Sequence, residues 1–241
     1  MTSIALAYVP RNGVCLGRFS YGVCDHGPVT VDPISEPADL RLVYGPPGQP
    51  ALKKQLASLD EHCRSFIAHS PFVLMSTADS DGRCDVSPKG GPPGFVAVLD
   101  DNRLALGDLS GNNRLDSLEN LTRNDGIGLL FLVPGIGETL RVNGRAVVTT
   151  DPSVLEAASL DGRPPKVAIV IEVEEAYIHC AKALRRSRLW EHEAWPDTSD
   201  MARPAAMLRD HIGLTQMTVQ QIDDVLEADY RTTLWVAGGK D

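Results

Sequence analysis

Aromatic residues are scarce in this chain, at 5%, and no apolar run approaches the roughly 18 residues that a membrane-spanning helix requires. The five cysteines, at positions 15, 24, 63, 84 and 180, are odd in number and widely spread, which argues against a disulfide scaffold. Basic residues are in deficit: 23 Lys and Arg stand against 32 Asp and Glu, and a net charge of -9 disfavours unspecific binding to nucleic acid. The first ten residues lack a basic cluster, and their apolar stretch is too short for a secretory signal. A cytoplasmic protein with neither a membrane nor a nucleic-acid partner is the expectation.

The usual catalytic signatures are missing as well. There is no Walker loop, no His-Glu-x-x-His, no Gly-x-Ser-x-Gly and no Cys-x-x-Cys. Gly135-Ile136-Gly137 lacks a third glycine and falls between two predicted strands, so it fails as a dinucleotide-binding turn. Cys24 and His26 have no second pair at zinc-finger spacing.

What is present is a chain of 241 residues, long enough for one large domain, with 21 Gly and 17 Pro to build many turns. Residues 1–33 show neither helical nor strand periodicity and read as a loosely ordered arm. Residues 34–70 read as helical. Ser35 and Pro37 open a short helix ending near Gly45, and a longer one is expected from Ala51 to His69. Leu52, Leu56, Leu59, Cys63, Phe66 and Ile67 give that longer helix one apolar face, with His62 and His69 on its surface.

The period then changes to two. Strands are predicted at 72–78, 83–87, 95–99, 103–106, 126–133, 138–149 and 167–173, the first pair joined by the strong turn Asp79-Ser80-Asp81-Gly82. A helix over Gly111–Leu121 and a short one opened by Asp151-Pro152 interrupt them. Short antiparallel strands at hairpin spacing point to a small β-barrel within residues 71–178. Residues 179–241 leave this pattern and finish in a helix from about Val219 to Ala237.

Four polar segments stand out. In Asp85–Phe95 a strand delivers Ser87 and Lys89 to a turn whose glycines expose backbone amides. That combination suits a phosphate, and the same Gly and Pro would equally shape a plain connection between hairpins. Gly111-Asn112-Asn113-Arg114 opens a predicted helix, where an anion is favoured, or where Ser110 or Asn112 merely caps the chain with Arg114 in solvent. Arg141, Asn143 and Arg145 share one strand face, either wet or lining a groove for a heterocycle edge. The run His179–Trp190 places Lys182, Arg185, Arg186 and Arg188 within seven positions, a solvated basic face or, with Cys180 and Trp190, a pocket wall or subunit contact.

Residues Phe72–Val173 resemble the pyridoxamine 5'-phosphate oxidase-related, FMN-binding split-barrel family. Three ordered motifs carry the likeness: Val86–Phe95, Gly111–Leu118 and Glu138–Ala146. It extends upstream to about residue 34 and downstream through Trp190. The resemblance implies a mainly β protein with flanking helices: a six-stranded antiparallel split β-barrel that forms a homodimer with FMN at the subunit interface. It implies that Ser87, Lys89, Asn112, Asn113 and Arg114 hold the phosphate and ribityl chain. Arg141 and Asn143 would approach the isoalloxazine. Lys182, Arg186, Ser187 and Trp190 would border the flavin, and residues 179–241 would complete its cleft. An FMN-dependent oxidoreductase acting on a small organic substrate, or on a nicotinamide or quinone electron partner, is the implied activity. The alternatives are a flavin-binding or flavin-storing protein without turnover and, as relatives of the fold do, a split barrel that takes a deazaflavin or haem.

Overall fold

The computed structural model describes residues 32–109 and 111–236. The expected N-terminal arm up to residue 31, its Cys24 and His26, the proposed cap Ser110 and the expected helix end Ala237 lie outside the described residues. The chain divides into two units, one up to Gln49 and one from Pro50 onward. In the first, helix α1 (Pro37–Tyr44) takes Glu36 rather than Ser35 as its N-cap, and Gly45 ends it at φ 69°, where glycine carries no steric cost.

The second unit starts with a correction. The single helix expected over 51–69 is two, α2 (Gln49–Lys53) and α3 (Glu61–His69). Between them Leu56 exchanges two backbone hydrogen bonds with Ala176, each 2.9 Å, and Leu59 donates to the Asp101 carbonyl. Asp60 then restarts the helix by accepting the Cys63 N–H at 2.8 Å. Most of the expected apolar face survives the break, since Leu59, Cys63 and Ile67 are buried and Leu56 and Phe66 pack beside them, whereas Leu52 is exposed.

Seven strands form one antiparallel sheet among the described residues: β1 (Phe72–Ala78), β2 (Cys84–Gly90), β3 (Val96–Asp100), β4 (Arg103–Gly107), β5 (Gly126–Leu132), β6 (Thr139–Thr149) and β7 (Ala168–His179). Their order is β2-β1-β5-β6-β7-β4-β3, so β2 and β3 are the edges and the sheet is not closed by hydrogen bonds. The resemblance implied six strands in a barrel. The alternating pattern of the residues foretold all seven, and β7 runs six residues further than expected. Helices α4 (Asp116–Leu121), α5 (Pro152–Ala157), α6 (Lys182–Ser187), α7 (Pro204–Ile212) and α8 (Val219–Thr233) flank it.

One core forms on the inner face. Val73 and Met75 of β1, Leu129 and Phe131 of β5, Val142 of β6, Ile171 of β7 and Leu104 and Leu106 of β4 belong to a single buried cluster. Each such side chain contributes about 1.5–3 kcal/mol by leaving water. Strands near both ends of the order share this cluster, so the sheet curls and brings β2 toward the end of β4. Pro88 sits in edge strand β2, where its missing N–H costs no ladder bond.

Candidate functional site

Strand β2 inverts the usual rule for a curled sheet: its half-buried row is polar. Asp85, Ser87 and Lys89 alternate with exposed Cys84, Val86, Pro88 and Gly90. Each of the three meets a partner from another element. Asp85 accepts from Asn120 Nδ2 at 2.8 Å, and the same amide donates to Thr77 at 3.1 Å. The Ser87 and Ser117 hydroxyls lie 3.0 Å apart. Lys89 Nζ stands 3.8 Å from a carboxylate oxygen of Asp108, which follows the end of β4.

Ser87, Ser117, Lys89 and Asp108 wall a cavity of about 540 Å³ between β2, the end of β4, the 111–115 loop and α4. Its size is that of a small-molecule site. Phe95, Leu106, Leu109, Leu118 and, from the C-terminal segment, Leu234 supply apolar wall. Ser87, Lys89, Asn112, Asn113 and Arg114, five of the residues picked out from the sequence, all line it.

Two sequence expectations need correction here. The helix begins at Asp116, not Gly111, so 111–114 is loop. Asn112 Oδ1 accepts the Arg114 N–H at 3.0 Å, and Asn113 and Leu115 stand at φ 60° and 61°, outside helical geometry. Asn tolerates that region, whereas for Leu115 it stores about 1–3 kcal/mol of strain. The glycine turn after β2 also behaves differently. The Gly91, Gly94 and Phe95 N–H groups donate to the carbonyls of Pro71, Ser70 and Pro92, so they are committed to the turn. Those three amides are therefore not the anion donors of the cavity.

Its charges balance. Lys89 and Arg114 face Asp108 and Asp116. Arg114 Nε donates to Asp116 at 3.0 Å, holding that carboxyl below its ordinary range. Both partners are well exposed, so the pair is worth about 0–1 kcal/mol and exchanges readily. Asp108 differs: burial raises its carboxyl above the ordinary range, and Lys89 offsets that only in part.

The remaining candidates do not reach the cavity. Arg141, Asn143 and Arg145 share the face of β6 opposite the core. Arg141 Nη1 donates to the Tyr177 hydroxyl at 2.9 Å, and Asn143 Nδ2 to Glu175 at 2.8 Å. Arg145 pairs with Asp125 and Glu174. Lys54 lies 5.1 Å from the Tyr177 ring centre and donates to the Ile178 carbonyl, while Gln55 donates to Glu175. His179, ring to ring with Tyr177 at 5.0 Å, keeps a buried Nε2 without a partner. Burial, then Arg141 and Lys54, lowers its proton affinity. Lys182, Arg186 and Ser187 lie on α6, where Arg186 donates to the Lys182 carbonyl and Ser187 to that of Leu184. Trp190 Nε1 donates to the Ile136 carbonyl at 2.8 Å, tying this segment to the β5–β6 turn.

A sequence model of the pyridoxamine 5'-phosphate oxidase family matches residues 59–180, from the start of α3 through the end of β7. The chain belongs to the pyridoxamine 5'-phosphate oxidase family. The matched span contains the whole sheet and every cavity residue except Leu234. Among solved structures, HupZ of Group A Streptococcus is 20% identical, with 49% of this chain and 91% of that chain covered and a TM-score of 0.41. A Clostridium acetobutylicum protein related to general stress protein 26 is 16% identical, with 49% and 85% covered and a TM-score of 0.38. No curated protein matches the chain.

Asp85, Asp108, Ser117 and Asn120 were not singled out from the sequence. Asp85 was signalled by its period-two spacing from Ser87 and Lys89, and Ser117 stands inside the Gly111–Leu118 motif. Asp108 and Asn120 carry no local signal, because the curl of the sheet brings Asp108 to β2 and the packing of α4 on β1 and β2 brings Asn120 there.

Proposed function

We propose that the cavity binds FMN by its phosphate and that the protein is a flavin-dependent oxidoreductase. The observation that carries this is the convergence of Lys89, Arg114 and the Ser87 and Ser117 hydroxyls on one cavity with an apolar wall. Two cations and two hydroxyls match a phosphate monoester, whose oxygens accept charge-assisted hydrogen bonds. Bound there, FMN would supply hydride and electron transfer. The chain's own part is positional. Lys89 and Arg114 anchor the charged end, the serines orient it, and Phe95, Leu106, Leu109 and Leu118 keep water from the wall. No side chain need act as general acid or base.

Arg141, Asn143, Lys182, Arg186, Ser187 and Trp190 lie apart from the cavity within one chain. In our reading a second copy presents them to the flavin across a homodimer interface, with Arg141 as a donor near the ring. The acceptor or donor is a small organic molecule, a nicotinamide or a quinone. Among the described residues no His, Cys, Met or Tyr lines the cavity, so it offers no ordinary axial ligand and flavin is favoured over haem. A deazaflavin shares the ribityl phosphate, and competition against FMN distinguishes the two.

Titrating FMN fluorescence with the protein tests the binding. Lys89→Met is expected to weaken it by about 1.5–3 kcal/mol, the value of a hydrogen bond to a charged group. Unchanged affinity would remove the phosphate from this cavity. Anaerobic mixing of the FMN-loaded protein with NADH or NADPH, then a quinone, separates turnover from storage. An oxidoreductase bleaches and recovers its flavin absorbance, whereas a storage protein does neither.

A further inference from the structure

Lys89 does not await a ligand unpaired. Its ammonium already faces Asp108, and the two side chains are 28% and 15% exposed. The backbone N–H of Asp108 donates to the Val167 carbonyl at 3.0 Å, which fixes the residue at the end of β4. A Cβ on neighbouring Gly107 would meet Pro165 and the Ala158 carbonyl at 3.0 Å, so this strand end is closely packed. A phosphate reaching Lys89 therefore arrives beside the Asp108 carboxylate. Two anions on one ammonium in a half-buried site repel.

The other charges nearby do not relieve this. Arg114 of the 111–115 loop can turn from exposed Asp116, the first residue of α4, to the phosphate, but the two cations are already matched by Asp108 and Asp116, so a dianion still leaves the cavity with excess negative charge. Asp85, two pairs along β2 from Lys89, is bonded to Asn120. Asp161 and Arg163 line a separate small crevice beyond Leu109. The relief open to the site is a proton.

Resting on the phosphate reading above, we propose that Asp108 is the proton-accepting residue of the phosphate subsite. It neutralises Lys89 before the ligand binds, then takes one proton from solvent as the phosphate replaces it. The neutral carboxyl can donate its new O–H to a phosphate oxygen. Binding of a phosphorylated ligand is thereby coupled to proton uptake, and Asp108 discriminates against it as pH rises. The carboxyl already lies above its ordinary range through burial, in keeping with this role.

Calorimetric titration with FMN in buffers of different ionisation enthalpy counts the protons directly. At pH 7.5 the wild type is expected to take up more protons per FMN than Asp108→Asn. The variant should also bind FMN more tightly at pH 8, with a flatter pH profile. The difference approaches about ten-fold per pH unit where one whole proton is coupled. Riboflavin, which lacks the phosphate, should bind to wild type without the extra uptake, a comparison that needs no variant to fold. Equal uptake for FMN and riboflavin, or for wild type and Asp108→Asn, overturns the proposal. If Lys89→Met weakens FMN while Asp108→Asn changes neither uptake nor profile, only the role of Asp108 fails. If Lys89→Met has no effect, the phosphate reading fails with it.

Discussion

Gly144 of β6 presses against the carbonyl oxygen of Glu172 on β7, and a Cβ on Gly144 would overlap that oxygen. The contact sits where the β6–β7 register shifts: Asn143 pairs with Glu175 but Gly144 with Val173. The extra residue on β7 lets both Val173 and Ala176 face the core, and it places Glu175 and Tyr177 opposite Asn143 and Arg141. Gly144→Ala is expected to cost about 1–3 kcal/mol, or more if the bulge cannot shift. Gly126→Ala, whose Cβ would make only an ordinary contact with Asn124, should cost less. Urea unfolding of both variants checks this, and equal midpoints would refute it.

Asn120 is buried and serves Thr77 and Asp85 with one amide group. Asn120→Ala leaves a buried hydroxyl and a carboxylate without their donor, at a cost of about 1–3 kcal/mol. It should also loosen β2 and so weaken FMN binding. A variant with wild-type stability would show that water replaces the amide at no cost.

Cys63 is buried in the core and burial pushes its thiol up to about 11, while Cys84 and Cys180 are exposed. In a Cys15→Ser/Cys24→Ser background, a thiol reagent at pH 8 is expected to label two cysteines in the folded protein and a third only on unfolding. The thiolate is the reacting species, and the Cys63 thiol is protonated at that pH. Immediate labelling of all three would contradict the placement of α3.

His179 holds its proton more weakly in the folded protein than the ordinary imidazole value of 6.5. The unfolded chain therefore binds more protons below that value, so stability present above pH 6.5 is lost as pH falls toward the folded value. His179→Gln should flatten the decline in stability between pH 7 and 5. An unchanged slope would show that the imidazole has a partner in solution.

The sheet was legible in the sequence because alternation survives wherever one face is buried. All seven strands and the cap at Asp151 stood close to where the pattern put them. The helix over 51–69 misled because Leu52, Leu56 and Leu59 keep helical spacing. The backbone of Leu56 is instead claimed by Ala176, a partner 120 residues away that no local pattern reveals. The Gly111 helix failed for a local reason, since Asn112 captures the Arg114 amide before the helix can start. Ser87, Lys89 and Arg114 were visible because they stand in motifs. Asp108, which balances Lys89, was not.

The central claim is that the cavity recognises the phosphate of a flavin through Ser87, Lys89, Arg114 and Ser117. Parallel fluorescence titrations with FMN and riboflavin test it most directly. The account predicts saturable binding of FMN, with riboflavin weaker by about ten-fold or more, the equivalent of at least one charge-assisted hydrogen bond. Equal affinity for the two, or no binding of either, would contradict it.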